Sequence, residues 1–429
     1  MKKVLIITYY WPPAGGPGVQ RWLKFVKYLP EFGIEPVVYV PENPTYPIID
    51  KSLEAEIPKG VTIIKRAIFE PYRFANILSR RKTNQMSSGL IDNPKKQTWL
   101  QKLLLYIRGN FFIPDARKSW IKPSVKFLSD YLKKENIEVV ITTGPPHSLH
   151  LIGLDLQKKL NIKWIADFRD PWTTIGYHKR LKLTRASANK HKRLEKEVLT
   201  KADQIITTSF KTRDDFKKLT KQPITIITNG FENAENHKSV LDKKFTFSHI
   251  GSLFSGRNPS NLWETFCELI EENESFRANF QLRLVGMISS EVWQSLKENR
   301  LTGFIEKKGY VSHNEAVEFQ KSSQVLLLLE INSEETKGII PGKLFEYLNA
   351  KRPILAIGPK DWDVAKIISE TESGHYFNYS EKERLKKNIL NYFEAFQNNN
   401  LYINSKNIEQ YHRRTLAGRM AGIIKKIQQ

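Results

Sequence analysis

The sequence predicts an α/β protein with two successive doubly wound parallel sheets. A chain of 429 residues exceeds one ordinary hydrophobic core, which favours two domains. Short apolar runs alternate with amphipathic helical stretches along most of the chain, a pattern typical of parallel sheets. Each half also carries a glycine-containing loop after its first strand. We predict domains over residues 1–230 and 231–405, with a terminal helix at 406–429 that packs back toward the first domain.

The first half begins as a strand, a glycine-rich turn, a helix and a second strand. We predict strands at residues 4–8, 37–40, 139–143, 164–167, 204–208 and 224–227, and helices near 19–29, 125–134, 148–160 and 178–198. Prolines and charges over residues 42–60 and 70–120 indicate irregular insertions. Because loops at the carboxyl ends of parallel strands meet at one edge, Gly15-Gly16, His147 and Arg169-Asp170 are expected along that edge.

The second half repeats the alternation. We predict strands at 245–250, 281–285, 305–308, 325–329 and 354–357, and helices at 260–271, 290–297, 314–322 and 402–427, with another that starts at Pro341. Gly251 lies in the first strand-to-helix loop of this half. Two such domains predict a two-lobed molecule with a ligand cleft between the lobes.

The stretch from Gly338 to Gly358 contains an unusual cation. Lys343 falls in the first helical turn, where the helix dipole disfavours positive charge, and it precedes Glu346 in the less favourable order. Two interpretations remain open at this point. The pair is an exposed surface contact with Tyr347 on the same flank, or Gly342, Lys343 and the free N–H groups hold an external anion. In the second case Glu346 would accept hydrogen bonds from hydroxyls beside that anion, as in a phosphate next to a ribose.

The composition is strongly basic, with a formal net charge of +23. The block at residues 95–134 mixes lysines with leucines and aromatic residues, which fits a face that rests on anionic lipid headgroups. The alternative is a helix whose apolar side packs on the core. No RNP-type motif or helix-turn-helix is present, so we expect no nucleic-acid partner.

Cysteine usage and hydropathy indicate the cellular compartment of the protein. Cys267 is the only cysteine, so no intrachain disulfide can form and a reducing compartment is expected. Its position within an apolar helix favours a core residue over a nucleophile. No apolar run reaches the length that spans a bilayer. We expect a cytoplasmic protein, either soluble or peripheral on the inner face of the cytoplasmic membrane.

Several catalytic motifs are absent: histidine spacings for zinc, a GxSxG elbow and a Walker A loop. Asp167 and Asp170 flank Arg169, either as an acid/base pair or as an internally paired loop. His147 is either a capping histidine or a substrate contact. Arg257 is either a solvated charge or a phosphate clamp that faces Lys343 across the cleft.

Seven segments in order carry a family resemblance: TYYWPPAGGPGVQRWLKFVKYL, TTGPPHS, DFRDPWT, KADQIITTS, ITNGF, HIGSLFSGRNP and PGKLFEYLNAKRPILAIGP. Over nearly the whole chain they resemble GT-B glycosyltransferases, which have two Rossmann-like domains, and in particular family 4 enzymes of bacterial polysaccharide and lipopolysaccharide synthesis. The resemblance implies a nucleotide-sugar donor in the second domain and a glycan or lipid-linked acceptor in the first. It also implies transfer with retention, without a metal or other cofactor.

The resemblance assigns roles to individual residues. The expected donor-binding residues are Gly15, Gly16, Gly251, Arg257, Gly342, Lys343 and Glu346, and the expected catalytic residues are Arg257, Lys343, Asp170 and His147. Glu346 matches the second glutamate of the family's E-x7-E signature, which binds ribose hydroxyls. Gly338 stands where the first glutamate is expected, so Glu330, Glu334 or Glu335 is a candidate replacement.

A second departure lies in the first domain. Arg169 replaces the family's histidine after the strand at 164–167, so the corresponding sugar contact passes to Asp170 or to His147. Two alternatives stay open. One is a sugar-nucleotide epimerase that uses Asp167 and Asp170 as its acid/base pair, and the other is a non-catalytic binding protein of the same fold.

Overall fold

The computed structural model describes residues 1–70, 99–179, 181–233 and 239–428. The chain forms two compact units, one of Met1–Asn229 with Arg413–Gln429 and one of Gly230–His412. The boundaries that we predicted were 230 and 405. Residues 71–98 of the predicted insertion, which include the start of the basic block at Lys95, lie outside the described residues, as does Arg180.

The first unit contains a seven-stranded, fully parallel sheet in the order β3-β2-β1-β4-β5-β6-β7. Its strands are β1 (Lys2–Ile7), β2 (Ile34–Pro41), β3 (Thr62–Arg66), β4 (Val139–Gly144), β5 (Lys163–Phe168), β6 (Gln204–Thr207) and β7 (Ile224–Ile226). Its helices are α1 (Pro17–Tyr28), α2 (Trp99–Phe111), α3 (Ile121–Lys134), α4 (Ser148–Leu160), α5 (Gly176–Lys179), α6 (Arg185–Lys201), α7 (Phe210–Lys217) and, from the end of the chain, α15 (Arg413–Ile427).

The side chains of β1 point alternately to the two faces of the sheet, which explains why helices cover both faces. Val4 and Ile6 belong to one buried cluster, together with residues of α1 and α15. Leu5 and Ile7 point to the opposite face and join a second cluster with residues of α3 and α4. Successive side chains of a strand point to opposite faces, so an uninterrupted apolar strand requires two covering layers.

Several elements of this unit differ from the sequence prediction. Helix α7 was not predicted, and the final helix, α15, begins at Arg413 instead of residue 402. Residues 70–120 were expected to be irregular, but α2 occupies Trp99–Phe111. Strand β3 was not predicted, because its half-exposed residues lack the apolar run of an interior strand, and it pairs only with β2 at the edge of the sheet.

The second unit contains a six-stranded parallel sheet in the order β10-β9-β8-β11-β12-β13. Its strands are β8 (Phe245–Ile250), β9 (Phe280–Val285), β10 (Ile305–Lys308), β11 (Val325–Leu329), β12 (Ile354–Gly358) and β13 (Gly374–Asn378). Its helices are α8 (Ser260–Glu272), α9 (Glu274–Asn279), α10 (Ser290–Glu298), α11 (His313–Ser322), α12 (Gly342–Ala350), α13 (Asp363–Thr371) and α14 (Lys382–Gln397). The prediction of two doubly wound parallel sheets is confirmed.

Three details of this unit correct the sequence prediction. No elements were assigned over residues 360–400, where α13, β13 and α14 lie. Pro341 is the N-cap of α12, so the helix begins at Gly342, one residue after the predicted start. Tyr347 is fully buried instead of sharing the outer flank with Lys343. Its hydroxyl accepts a hydrogen bond from the Ile250 N–H at 3.1 Å, which satisfies the polar atom inside the core.

Candidate functional site

A cluster of charged side chains lies at the point where the strand order of the second sheet reverses. Strands β8 and β11 are neighbours, and the chain leaves them in opposite directions along the sheet. Such reversal points leave a crevice at the carboxyl ends of the strands, where α/β proteins bind ligands. Gly251 follows β8 here, Glu330 follows β11, and Lys343 lies in the first turn of α12.

Arg257 and Glu330 form a bidentate ion pair in this crevice. Arg257 Nε donates to Glu330 Oε1 at 3.0 Å, and Nη2 donates to Oε2 at 3.2 Å. The Glu330 side chain is completely buried, whereas that of Arg257 is 33% exposed. The backbone N–H of Ile331 also donates to Glu330 Oε1, at 2.9 Å. Glu330 therefore holds Arg257, and its role as the replacement for the missing first glutamate stays a prediction, as it does for Glu334 and Glu335.

Lys343 shares this crevice with Arg257. Burial and the nearby Arg257 charge lower the pKa of Lys343 to about 8, against a smaller opposing effect of Glu346 and Glu330. The described residues contain no ion pair of Lys343 within 4 Å, so its ammonium group lacks a close anionic partner. We expected Arg257 to face Lys343 across the cleft. Both residues instead belong to the second unit.

Gly251 provides the space for the Lys343 ammonium group. A Cβ atom on Gly251 would lie 2.6 Å from Lys343 Nζ, and the backbone there has a φ of 122°. Gly286 packs behind it, where a Cβ would lie 2.8 Å from the Gly251 carbonyl carbon. Only glycine combines this conformation with this proximity. The loops after β8 and β9 are therefore fixed around the position of Lys343.

Glu346 lies one turn further along α12. Its Oε2 accepts a hydrogen bond from Gln320 Nε2 of α11 at 2.8 Å, and Gln320 is itself buried. The other carboxylate oxygen, Oε1, has no hydrogen bond or ion pair among the described residues. The arrangement places two cations, a helix N-terminus at Gly342 and one half-buried carboxylate together. Cations and helix N–H groups suit a phosphate, and the carboxylate suits neighbouring hydroxyls.

In the first unit the structure uses Asp167 as a buried structural anchor. Arg21 donates to it through Nη2 at 2.8 Å and Nε at 3.2 Å, and Trp22 Nε1 donates at 2.8 Å. Thr143 Oγ1 donates at 2.9 Å. These hydrogen bonds and the Arg21 charge outweigh burial and lower the pKa of Asp167. Asp167 therefore pairs with Arg21 of α1 and not with Arg169 of its own loop, and these contacts do not support an acid/base pair with Asp170. The role of Arg21 was missed because its partner lies 146 positions away.

His147 and Asp170 lie in the loops that follow two neighbouring strands, β4 and β5. His147 is 4% exposed, and its ring stacks on Trp172 with centroids 4.9 Å apart. Neither of its ring nitrogens has a partner among the described residues. Burial lowers the pKa of His147 well below its ordinary value and raises the pKa of Asp170. The catalytic roles of both residues stay predictions, although the burial of His147 leaves little surface for direct contact with a substrate.

The glycine loop after β1 is packed against Arg169. A Cβ on Gly18 would overlap the Arg169 guanidinium, which also donates to the Pro145 carbonyl oxygen. Gly16 has a φ of 99° and open space around its Cα. Gly15 lies against Ile48, and the Gly15 N–H donates a hydrogen bond to the Ile48 carbonyl oxygen at 3.0 Å. The loop therefore requires glycine at position 18 for close packing and at position 16 for the backbone conformation.

A known protein family matches the middle of the chain. Residues 92–235 match the family model described as Glycosyltransferase Family 4. This part of the chain is therefore similar to glycosyltransferase family 4. The resemblance and the prediction of a glycosyltransferase enzyme are thereby confirmed. A search of curated proteins finds no match.

Solved structures show the same fold over the whole chain. A glycosyltransferase from Rickettsia africae ESF-5 is 14% identical with a TM-score of 0.62, and the match covers 100% of this chain and 99% of that one. The lipopolysaccharide outer core galactosyltransferase WaaB is 14% identical with a TM-score of 0.59, covering 99% and 100%. Anabaena Alr3699/HepE, solved with UDP-glucose, is 12% identical with a TM-score of 0.58, covering 99% and 100%. At this identity they establish the GT-B fold of the glycosyltransferase.

Two kinds of feature are absent from the part of the chain that the structure describes. None of the described helices is long and apolar enough to cross a bilayer. Within the same parts of the chain, no three His, Cys, Asp or Glu side chains converge as a metal-binding group.

Proposed function

We propose that this glycosyltransferase moves a sugar from a nucleotide-sugar donor to a glycan or lipid-linked acceptor in cell-surface polysaccharide synthesis, with retention and without a metal. The single observation that carries the donor assignment is the grouping of Arg257, Lys343 and Glu346 at the N-terminus of α12. Two cations match a diphosphate and the carboxylate matches a ribose. The complex of HepE with UDP-glucose supports a donor of this class.

The chemical task of the cations follows from the charge that develops during transfer. The bond between the sugar C1 and the β-phosphate oxygen breaks, and a bond from C1 to the acceptor oxygen forms. The acceptor proton passes to the departing diphosphate. Arg257, Lys343 and the N–H groups at Gly342 would stabilise the growing negative charge on that diphosphate. Retention and metal independence rest on the family resemblance.

The acceptor would bind the first unit. Gly15 and Gly16 border a ridge formed by Ile48 and Ile49, which are 54% and 56% exposed. An apolar ridge beside the glycine loop suits an acceptor that carries a hydrocarbon chain. This supports a lipid-linked acceptor over a free sugar.

Helix α2 is the best candidate for a membrane-binding surface. Trp99, Leu103 and Tyr106 are exposed and follow each other at helical spacing, and Phe111 is also exposed. Lysines at 102, 118 and 122 are exposed in and near the same helix. Aromatic and apolar side chains bordered by lysines fit the interface of an anionic membrane. The opposite expectation, an apolar side packed entirely on the core, does not describe these residues.

The epimerase alternative receives less support. One solved structure with a TM-score of 0.56 is described as a putative UDP-N-acetylglucosamine 2-epimerase, so the fold alone does not separate the two activities. An epimerase needs ionisable groups that exchange protons with the sugar. Asp167, one of the two candidate carboxylates, is instead saturated by Arg21, Trp22 and Thr143.

The test begins with a thermal-shift screen of UDP-, GDP-, ADP- and dTDP-sugars against the full chain. The best donor is then incubated with short-chain prenyl diphosphate-linked sugars, and NMR of the product reports the anomeric configuration. Transfer that persists in excess EDTA would support metal independence. Turnover of the donor without an acceptor to an epimeric nucleotide sugar would favour the epimerase, and no stabilisation by any nucleotide sugar would contradict the proposal.

Liposome flotation tests the membrane surface separately. Vesicles of phosphatidylcholine with phosphatidylglycerol should carry the wild-type chain, and Leu103→Asp should reduce the floated fraction severalfold. Leu219→Asp is the matched control, because Leu219 is similarly exposed at 40% but lies outside α2. Equal flotation of the two variants would contradict the assignment of α2.

A further inference from the structure

Glu330 places a carboxylate beside the proposed phosphate site, where negative charge is normally unfavourable. It follows β11 at the strand reversal and is fully buried beside Arg257 and Lys343. A buried negative charge repels an incoming diphosphate, so its presence weakens binding unless it improves the geometry of the cations. A residue that only balanced charge would be better placed further from the ligand.

The contacts of Glu330 fix its carboxylate in one orientation. Its Oε1 accepts from the Ile331 N–H at 2.9 Å, and its backbone carbonyl accepts from Tyr379 Oη at 2.8 Å. The carboxylate then binds the Nε and Nη2 edge of Arg257. This leaves the Nη1 edge of the guanidinium as the side turned away from Glu330. A planar guanidinium held along one edge can present the other edge with little loss of freedom.

Arg257 needs such support because the short turn that carries it does little to fix its side chain. It ends a three-residue 3-10 turn, Ser255–Arg257, which follows the glycine-containing loop after β8. The described contacts of its guanidinium are with Glu330. Without that carboxylate the side chain would sample many rotamers, and a diphosphate that binds it would have to order the side chain first.

We infer that Glu330 is a positioning residue that aims Arg257 at the diphosphate of the donor. The inference rests on the proposed function, since it deepens the account of the same site. A positioning role and a simple counter-charge predict opposite effects on anion binding when Glu330 is replaced. Removal of a counter-charge would strengthen anion binding, whereas removal of a positioning carboxylate would weaken it.

The experiment is a double-mutant cycle on the full chain, with calorimetric titration of UDP and of inorganic pyrophosphate. Glu330→Gln should weaken the binding of both probes about tenfold, and uridine, if it binds, should bind to the variant as it does to the wild type. Glu298→Gln removes a charge from an exposed site on α10 and should change affinity less than twofold. In an Arg257→Ala background, Glu330→Gln should cause no further loss, because the residue that it positions is absent.

The outcomes separate the two claims. Unchanged or tighter binding by Glu330→Gln would overturn the positioning role while leaving the donor site in place. A further loss in the Arg257→Ala background would also overturn it, because Glu330 would then act on the site in general. If wild-type protein binds neither UDP nor pyrophosphate, nor any other nucleoside diphosphate, the donor site and the role of Glu330 fall together. Far-UV circular dichroism of each variant shows whether the fold is retained.

Discussion

Replacing Lys343 with methionine should make the second unit more stable while it removes diphosphate binding. The folded protein lowers the pKa of Lys343 from 10.5 to about 8. Each tenfold change in proton affinity corresponds to about 1.4 kcal/mol, so the charged form costs about 3 kcal/mol relative to water. Methionine has a similar length and helix propensity and carries no charge. Lys343→Met should therefore raise the free energy of unfolding by up to about 3 kcal/mol at pH 7.

The effect should depend on pH in a defined direction. The folded pKa lies below the unfolded value, so between pH 8 and 10.5 the unfolded chain binds more protons at Lys343. The wild type should gain stability as the pH rises through that window, and its deficit relative to Lys343→Met should shrink to about half at pH 9.5. Below pH 8 the full difference should persist.

Cys267 offers a probe that reports on the second unit alone. It is the only cysteine of the chain and lies in α8, so a fluorophore attached there follows the unfolding of this unit in urea. Lys387→Met is the matched control, because Lys387 is an exposed lysine within α14 and its replacement should change stability by less than about 0.5 kcal/mol. A Lys343→Met variant that is no more stable than this control at pH 7, or that binds UDP as tightly as the wild type, would refute the reasoning.

Three further substitutions and conditions test other parts of the molecule. Gly251→Ala should weaken UDP binding at least tenfold in calorimetry, because the new Cβ would lie 2.6 Å from Lys343 Nζ, whereas Gly303→Ala, with no atom within 4 Å, should bind normally. Asp167→Asn should destabilise the first unit by about 3–5 kcal/mol in urea titrations, since it leaves Arg21 buried without its anion, and Asp214→Asn at an exposed pair should not. Burial lowers the pKa of His150 to about 3 and of His178 to about 4, so the unfolded chain takes up protons first as the pH falls below 6.5. Each histidine should therefore cost about 2 kcal/mol of stability between pH 8 and pH 5, and a melting temperature that is flat over this range would count against that account.

The sequence was most informative where a local pattern determines the structure. The strands at 245–250, 305–308 and 325–329 were predicted with the bounds that the structure has, because each is a short strand bounded by loop residues. The outer flank predicted for Tyr347 was wrong, since helical spacing does not reveal that its hydroxyl can bond to the Ile250 N–H inside the core.

The candidate site was predictable only in part, because some of its contacts join residues that are distant in sequence. The grouping of Lys343 and Glu346 follows from one helix, and the place of Arg257 in the loop after the first strand of this half made it a candidate phosphate clamp. Glu330 and Gln320 were not recognised as partners of Arg257 and Glu346, because the members of these pairs lie 73 and 26 positions apart. Such contacts depend on which strands become neighbours in the sheet, and no local pattern encodes that.

The return of α15 to the first unit has a consequence for synthesis on the ribosome. Leu416, Met420 and Ile424 of α15 are buried in the same cluster as Val4 and Trp22 near the start of the chain. The ribosome must complete residues 230–412 before the residues that close this cluster are made. The second unit can therefore fold while the first still exposes an apolar face, and a nascent chain interrupted after residue 412 would present that face to chaperones.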